Sequence, residues 1–183
     1  MYIYERQRQT PFIWQGDLCV VGGSATGVFA AVRAARLGLR VMLAEKQNCF
    51  GGVATNGLVN VWHTYKDTEK KKQIIAGLSA EVTDRLEPYN AGYVDWADSH
   101  CFNPQELKVE LDRLMDESGA EYLFHTYYVG LDTEGDKVRA VFVENKDGRG
   151  AVKADFFIDA TGDGDLARDL GIQSYVHENI QPP

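Results

Sequence analysis

DLCVVGGSATGVFAAVRAARLGLRVMLAE, Asp17 to Glu45, decides the fold, because it reads as strand, tight glycine turn, helix, strand and terminal acid. That order is the signature of a dinucleotide-binding βαβ unit. Leu18 to Val21 is a short apolar run suited to a strand buried on both faces, and Val41 to Ala44 repeats that character. Both are expected as central parallel strands. Between them Val28, Ala31, Val32, Ala35 and Leu37 lay an apolar stripe along a helix of good formers, which Gly38 is placed to stop.

The chemistry lies in the turn. Gly22 permits the sharp reversal out of the strand and Gly27 lets the helix lie close to the sheet. The free amides of the helix's first turn and its dipole favour an anion there, so Gly22, Gly23, Ser24, Ala25, Thr26 and Gly27 form the expected pyrophosphate cradle. Ser24 stands where the G-x-G-x-x-G pattern has its middle glycine; its hydroxyl could donate to a phosphate oxygen. Glu45, eighteen residues after Gly27, is placed to accept from a ribose diol and to repel a 2′-phosphate. Lys46 beside it joins the expected set.

The totals narrow the class. The chain has 183 residues, 44% hydrophobic and 25% charged, enough for one domain of ordinary size with a core. A net charge of −8 argues against nucleic-acid or anionic-membrane partners, and the short Lys70-Lys71-Lys72 run reads as a solvated loop. No apolar run is long enough to cross a bilayer and the start lacks a signal-peptide core, so a cytoplasmic location is expected. Cys19, Cys49 and Cys101 suit neither a disulfide framework nor a paired zinc site. His63, His100, His125 and His177 show no ligand spacing, so no metal is assigned.

Around the βαβ unit, residues 1 to 16 read as a polar arm, and 17 to 183 as one dinucleotide-binding domain. Gly51-Gly52 offers a second backbone able to approach the same ligand, with a short helix starting after it. Ile74 to Leu86 has helical spacing ended by Pro88 and Asn90-Ala91-Gly92. Asn103 caps a clear helix, Pro104 to Ser118, with Leu107, Leu111 and Leu114 on one face and Gly119 at its end. Thr126 to Leu131, Val138 to Glu144 and Gly150 to Lys153 are expected as a three-stranded antiparallel meander. Phe156 to Ala160 is expected as a further central strand. It ends in Asp159-Ala160-Thr161-Gly162-Asp163-Gly164-Asp165, a turn that should share one crevice with the Gly22 turn. Its three carboxylates do not extend into an EF-hand loop.

With GGSATG, Glu45, Gly51-Gly52-Val53-Ala54-Thr55, the Asn103-capped helix, the meander and DATGDGDLA in order, the chain resembles FAD-dependent oxidoreductases of the glutathione-reductase-type flavin fold. The resemblance covers about Asp17 through Gly171. It implies an α/β fold: a Rossmann-like FAD-binding domain with a parallel sheet, flanking helices and an antiparallel crossover meander. It implies FAD on the glycine turn, with Glu45 at the adenosine ribose and Gly51, Gly52, Val53 and Thr55 along the diphosphate and flavin. The backbone near Val129 would meet adenine, and Ala160, Thr161, Gly162 and Asp163 would close the pocket. Family members normally continue into a substrate domain and a returning segment. The chain is therefore expected to be an amino-terminal portion or one member of a split pair, exposing apolar surface and holding FAD poorly alone.

The expected activity is two-electron or hydride transfer with a small-molecule substrate, the flavin performing the electron transfer. Candidates for a catalytic role are His63 and Tyr65 for proton handling, and Cys49 as a redox-active or flavin-attaching thiol. Without a C-x-x-C or C-x-x-x-x-C partner, Cys49 reads more plainly as inert. Two rivals remain open: an NAD-dependent dehydrogenase, and a noncatalytic nucleotide-binding subunit supporting a complementing chain or a second copy.

Overall fold

The computed structural model describes residues 8–89, 92–95 and 98–173; the first seven residues of the expected arm, Asn90-Ala91 of the expected helix stop, and residues 174–183 of the expected domain lie outside them. The βαβ unit is β1 (Phe12–Val21), α1 (Ala25–Arg36) and β2 (Val41–Ala44). A single 3-10 turn, Gly52–Ala54, follows the double glycine. Then come β3 (Val61–Trp62), α2 (Leu78–Leu86), β4 (Gly92–Val94), β5 (His100–Phe102) and α3 (Pro104–Ser118). The chain continues through β6 (Glu121–Leu123), β7 (Tyr127–Glu134), β8 (Lys137–Asn145), β9 (Gly148–Asp159) and α4 (Asp165–Asp169).

Six strands form one sheet in the order β6-β2-β1-β9-β8-β7, parallel from β6 to β9 and antiparallel through β8 and β7. Alternation along β1 serves two cores. Leu18 and Val20 face Val28, Val32, Leu107, Leu111 and Leu114 of the helices. Cys19 and Val21 belong to a second core with Val141 and Val143 of β8, Val152 and Ala154 of β9 and Leu166 of α4. Burial pushes the Cys19 thiol up to about 12, which leaves it an inert core group. A run apolar at every position was the right mark of a strand covered on both sides.

Three boundaries differ from the sequence reading. β1 begins at Phe12, so residues 12 to 16 pair with β9 and are not part of an arm. The expected third meander strand and the expected last parallel strand are one element: β9 bonds to β8 over Gly148 to Lys153 and to β1 over Ala151 to Asp159. No turn residue separates the two halves; only the change of partners does. α2 starts at Leu78, because Gly77 at φ 78° and ψ −134° breaks the spacing and leaves Ile74 and Ile75 exposed.

α3 follows the local rules closely. Asn103 accepts from the Gln105 amide at 2.9 Å, Pro104 opens the helix, and Gly119 closes it in the left-handed conformation. Its buried leucines anchor α1 and α2, and Arg36, Glu81, Arg85 and Glu117 link the three helices at the surface. A second sheet, β3-β5-β4, sits on the helical side through Trp62, whose ring meets Phe29 of α1 at 6.1 Å and Phe102 at 4.8 Å. Strands of two or three residues carry too little pattern to be read from sequence.

Candidate functional site: a crevice at the strand ends

The carboxyl ends of β2, β1 and β9 open into a crevice of about 650 Å³, within the size range of small-molecule and cofactor sites. Its floor is a close meeting of three turns. A Cβ on Gly27 would fall 1.9 Å from the Gly22 carbonyl oxygen, and one on Gly22 would fall 2.4 Å from that of Ala160. Only glycine allows α1 to enter so near the strand end. The double-glycine loop is tied in by the Gly51 amide, which donates to the Gly23 carbonyl at 2.8 Å. Thr55, fully buried, donates its hydroxyl to the Phe50 carbonyl at 2.6 Å and braces that loop from behind.

Glu45 is buried to 6% exposure, yet it lines the crevice. One carboxylate oxygen accepts from the Gly23 amide at 2.5 Å and the other from the Gln47 amide at 2.6 Å. A carboxylate offers about four acceptor positions, so two remain for a ligand's hydroxyls. The backbone around it is stitched to the start of β7: the Thr126 amide donates to the Glu45 carbonyl and the His125 amide to that of Gln47.

Ser24 behaves differently from its expected role. Its hydroxyl accepts from the Gly27 amide and donates to the Ala160 carbonyl, both at 3.2 Å. With its one proton committed, Ser24 acts as the helix cap and as a clasp between two turns. Likewise the Gly23 amide serves Glu45, so the anion-binding capacity rests on the α1 terminus beyond it. The acid-rich turn is organised from within. Asp159 accepts from the Thr161 amide and hydroxyl on one oxygen and from the Leu166 and Ala167 amides on the other. Burial alone would raise its pKa, but these donors outweigh that and hold it below the usual carboxylate range.

The model of the family described as FAD dependent oxidoreductase matches residues 17–181. The chain belongs to this family. It is also 34% identical over 82 residues to the mitochondrial dihydrolipoyl dehydrogenase of Schizosaccharomyces pombe, a stretch covering 39% of this chain and 16% of that protein. Among solved structures it resembles a geranylgeranyl bacteriochlorophyll reductase-like protein from Thermoplasma acidophilum, with a TM-score of 0.65 and 20% identity. That match covers 90% of this chain and 44% of the other. OxyS anhydrotetracycline hydroxylase from Streptomyces rimosus has a TM-score of 0.61 at 16% identity, over 90% of this chain and 35% of that one. Such identities establish a shared fold, and the chain spans less than half the length of each of these three proteins.

FAD is the cofactor of the family, and the crevice suits it: a glycine-built floor, a helix terminus for the diphosphate, and an acid with free acceptor positions. Of the residues expected to hold it, Gly22, Ser24, Glu45, Lys46, Gly52, Val53, Ala160, Thr161, Gly162 and Asp163 line the crevice. Gly23, Ala25, Thr26, Gly27, Gly51, Thr55 and Val129 do not; most of them support the lining from behind, while Val129 lies further along β7. The lining also includes Asp165, from the turn expected to share the crevice, and Gln47, Asn56, Thr126, Tyr127 and Tyr128, which the sequence reading passed over. Gln47 and Asn56 each sit within two residues of an expected member; the Thr126-Tyr128 segment was off by one to three positions along the strand.

The catalytic candidates separate from the crevice. Tyr65 is buried, donates its hydroxyl to the Ser79 carbonyl at 3.1 Å and stacks on His100 at 3.9 Å, and burial raises its pKa. His63 is exposed beyond β3 and does not line the crevice. Cys49, buried, donates its thiol to Asn56 Oδ1 at 3.2 Å and so lies one residue behind the lining. Among the described residues, no three histidine, cysteine or carboxylate side chains converge to hold a metal ion.

Proposed function

We propose that this chain is the cofactor-holding part of an FAD-dependent oxidoreductase that carries out a two-electron or hydride transfer on a small molecule. Glu45 carries the reading: a buried acid at the end of β2, fixed by two amides, with acceptor positions left at the crevice wall. Glu45 would take the adenosine ribose, the α1 terminus and the double-glycine loop would hold the diphosphate, and Tyr127 and Tyr128 would border the base. FAD supplies the electron transfer when bound. The residues named here bind and orient it.

The other reacting groups, the substrate and any complementing chain belong to the same proposal, as does the cytoplasmic location. Among the described residues, no helix is long and apolar enough to cross a membrane. The test is a flavin titration of the chain, alone and with any complementing chain. A bound flavin spectrum that Gly27→Val abolishes supports the reading. Preference for NAD over FAD in both preparations would overturn it.

A further inference from the structure

Four charged side chains line the crevice, Glu45, Lys46, Asp163 and Asp165, so Lys46 is the one cation among the described lining residues. Its Nζ lies 3.7 Å from Asp163 Oδ2. Lys46 follows β2 and Asp163 lies in the turn after β9; these strands flank β1, so the pair reaches across the end of the glycine turn. Asp165 is occupied by Arg168 at 2.8 Å. Asp163 has no second hydrogen-bonding or ionic partner among the described residues, and its side chain is 72% exposed. Unlike Asp159, it holds no backbone in place.

We propose that Asp163 and the diphosphate of a dinucleotide compete for Lys46, so that Asp163 weakens cofactor binding and Lys46 strengthens it. The inference rests on the nucleotide reading of the crevice. A diphosphate brings two negative charges into a site that already holds three carboxylates. One cation cannot neutralise both Asp163 and the phosphates. An exposed ion pair is held weakly and yields readily to a denser anion. Lys46 therefore passes from carboxylate to phosphate on binding, and the affinity reflects the difference.

Calorimetric titration with ADP, at low and high salt, tests this. Asp163→Asn should tighten ADP about two- to fivefold at low salt, the range expected for freeing a cation from an exposed pair. High salt should erase the gain. Lys46→Ala should weaken ADP, and Asp163→Asn added to it should then change nothing. Looser binding in Asp163→Asn would mean that Asp163 holds the ligand directly or closes over it, which overturns the proposal. A gain that survives in the Lys46→Ala background would mean simple repulsion of the phosphates, which also overturns it. If the parent chain, alone and with any complementing chain, binds neither ADP nor FAD at any salt, the nucleotide reading itself fails, and this proposal with it.

Discussion

Glu45 and Asp159 stand at the carboxyl ends of the two strands that flank β1, and both accept hydrogen bonds from nearby backbone amides. Asp159 receives four donors, two from Thr161 and two from amides of the short helix α4; its acceptor positions are full and it does not line the crevice. Glu45 receives two, and lines it. The same functional group at the end of neighbouring strands of one sheet is thus saturated by its own backbone on one side and left with open acceptor positions at the crevice on the other. The number of local donors makes the difference.

Four substitutions break or sharpen that contrast. Gly27→Val strikes the floor shared by both acids: with a Cβ position 1.9 Å from the Gly22 oxygen, α1 must move away from β1. Stability should fall by about 3 kcal/mol or more, in the range of overpacked cores and strained backbone, and FAD binding should vanish. Thermal unfolding and a flavin titration read the two effects.

Asp159→Asn should act on folding. Losing the charged acceptor for the Thr161, Leu166 and Ala167 donors should cost roughly 1.5–3 kcal/mol in denaturant unfolding. A pH series adds a sign. The folded pKa lies below the unfolded value, so the stabilisation from Asp159 is present above about pH 4 and is lost as pH falls through the lowered folded value. The variant should lack that component of acid unfolding; an unchanged acid limb would remove the role assigned to Asp159.

Glu45→Gln should reverse the pattern. Hydrogen bonds from ligand hydroxyls to a charged acceptor are worth about 1.5 kcal/mol or more, so ADP affinity should drop about tenfold or beyond. The melting temperature should move less than in Asp159→Asn. Equal loss of stability in the two variants would erase the distinction between them. Gly162→Ala should have the smallest effect: no atom lies within 4 Å of the added Cβ, but φ of 83° strains any non-glycine residue there. A loss of roughly 1–2 kcal/mol in stability is expected, checked by chemical denaturation.

The parts legible in the sequence were those governed by near neighbours. Val41 to Ala44, the helix from Pro104 to Ser118 with its Asn103 cap and Gly119 stop, and the turn at Gly22 each follow from periodicity and capping within a few residues. The spacing from Gly27 to Glu45 placed the acid at the crevice because a helix and a short strand fix that distance. The small sheet was missed because Val61–Trp62, Gly92–Val94 and His100–Phe102 are too short to show a period, and Val61–Trp62 meets its partner His100–Phe102 only from far along the chain. Tyr65 looked available beside His63, yet its hydroxyl turns away to Ser79.

The chain's own order of residues determined the βαβ unit, the acid, the two glycine turns and the meander, since local sterics and side-chain spacing specify them. Only tertiary structure decided how the donors are spent. The Gly23 amide goes to Glu45 across 22 positions, the Ser24 hydroxyl to Ala160 across 136, and one strand, β9, joins the parallel and antiparallel parts. Hydrogen-bonding groups choose the nearest suitable partner in space, and that partner exists only after the sheet has brought remote turns together.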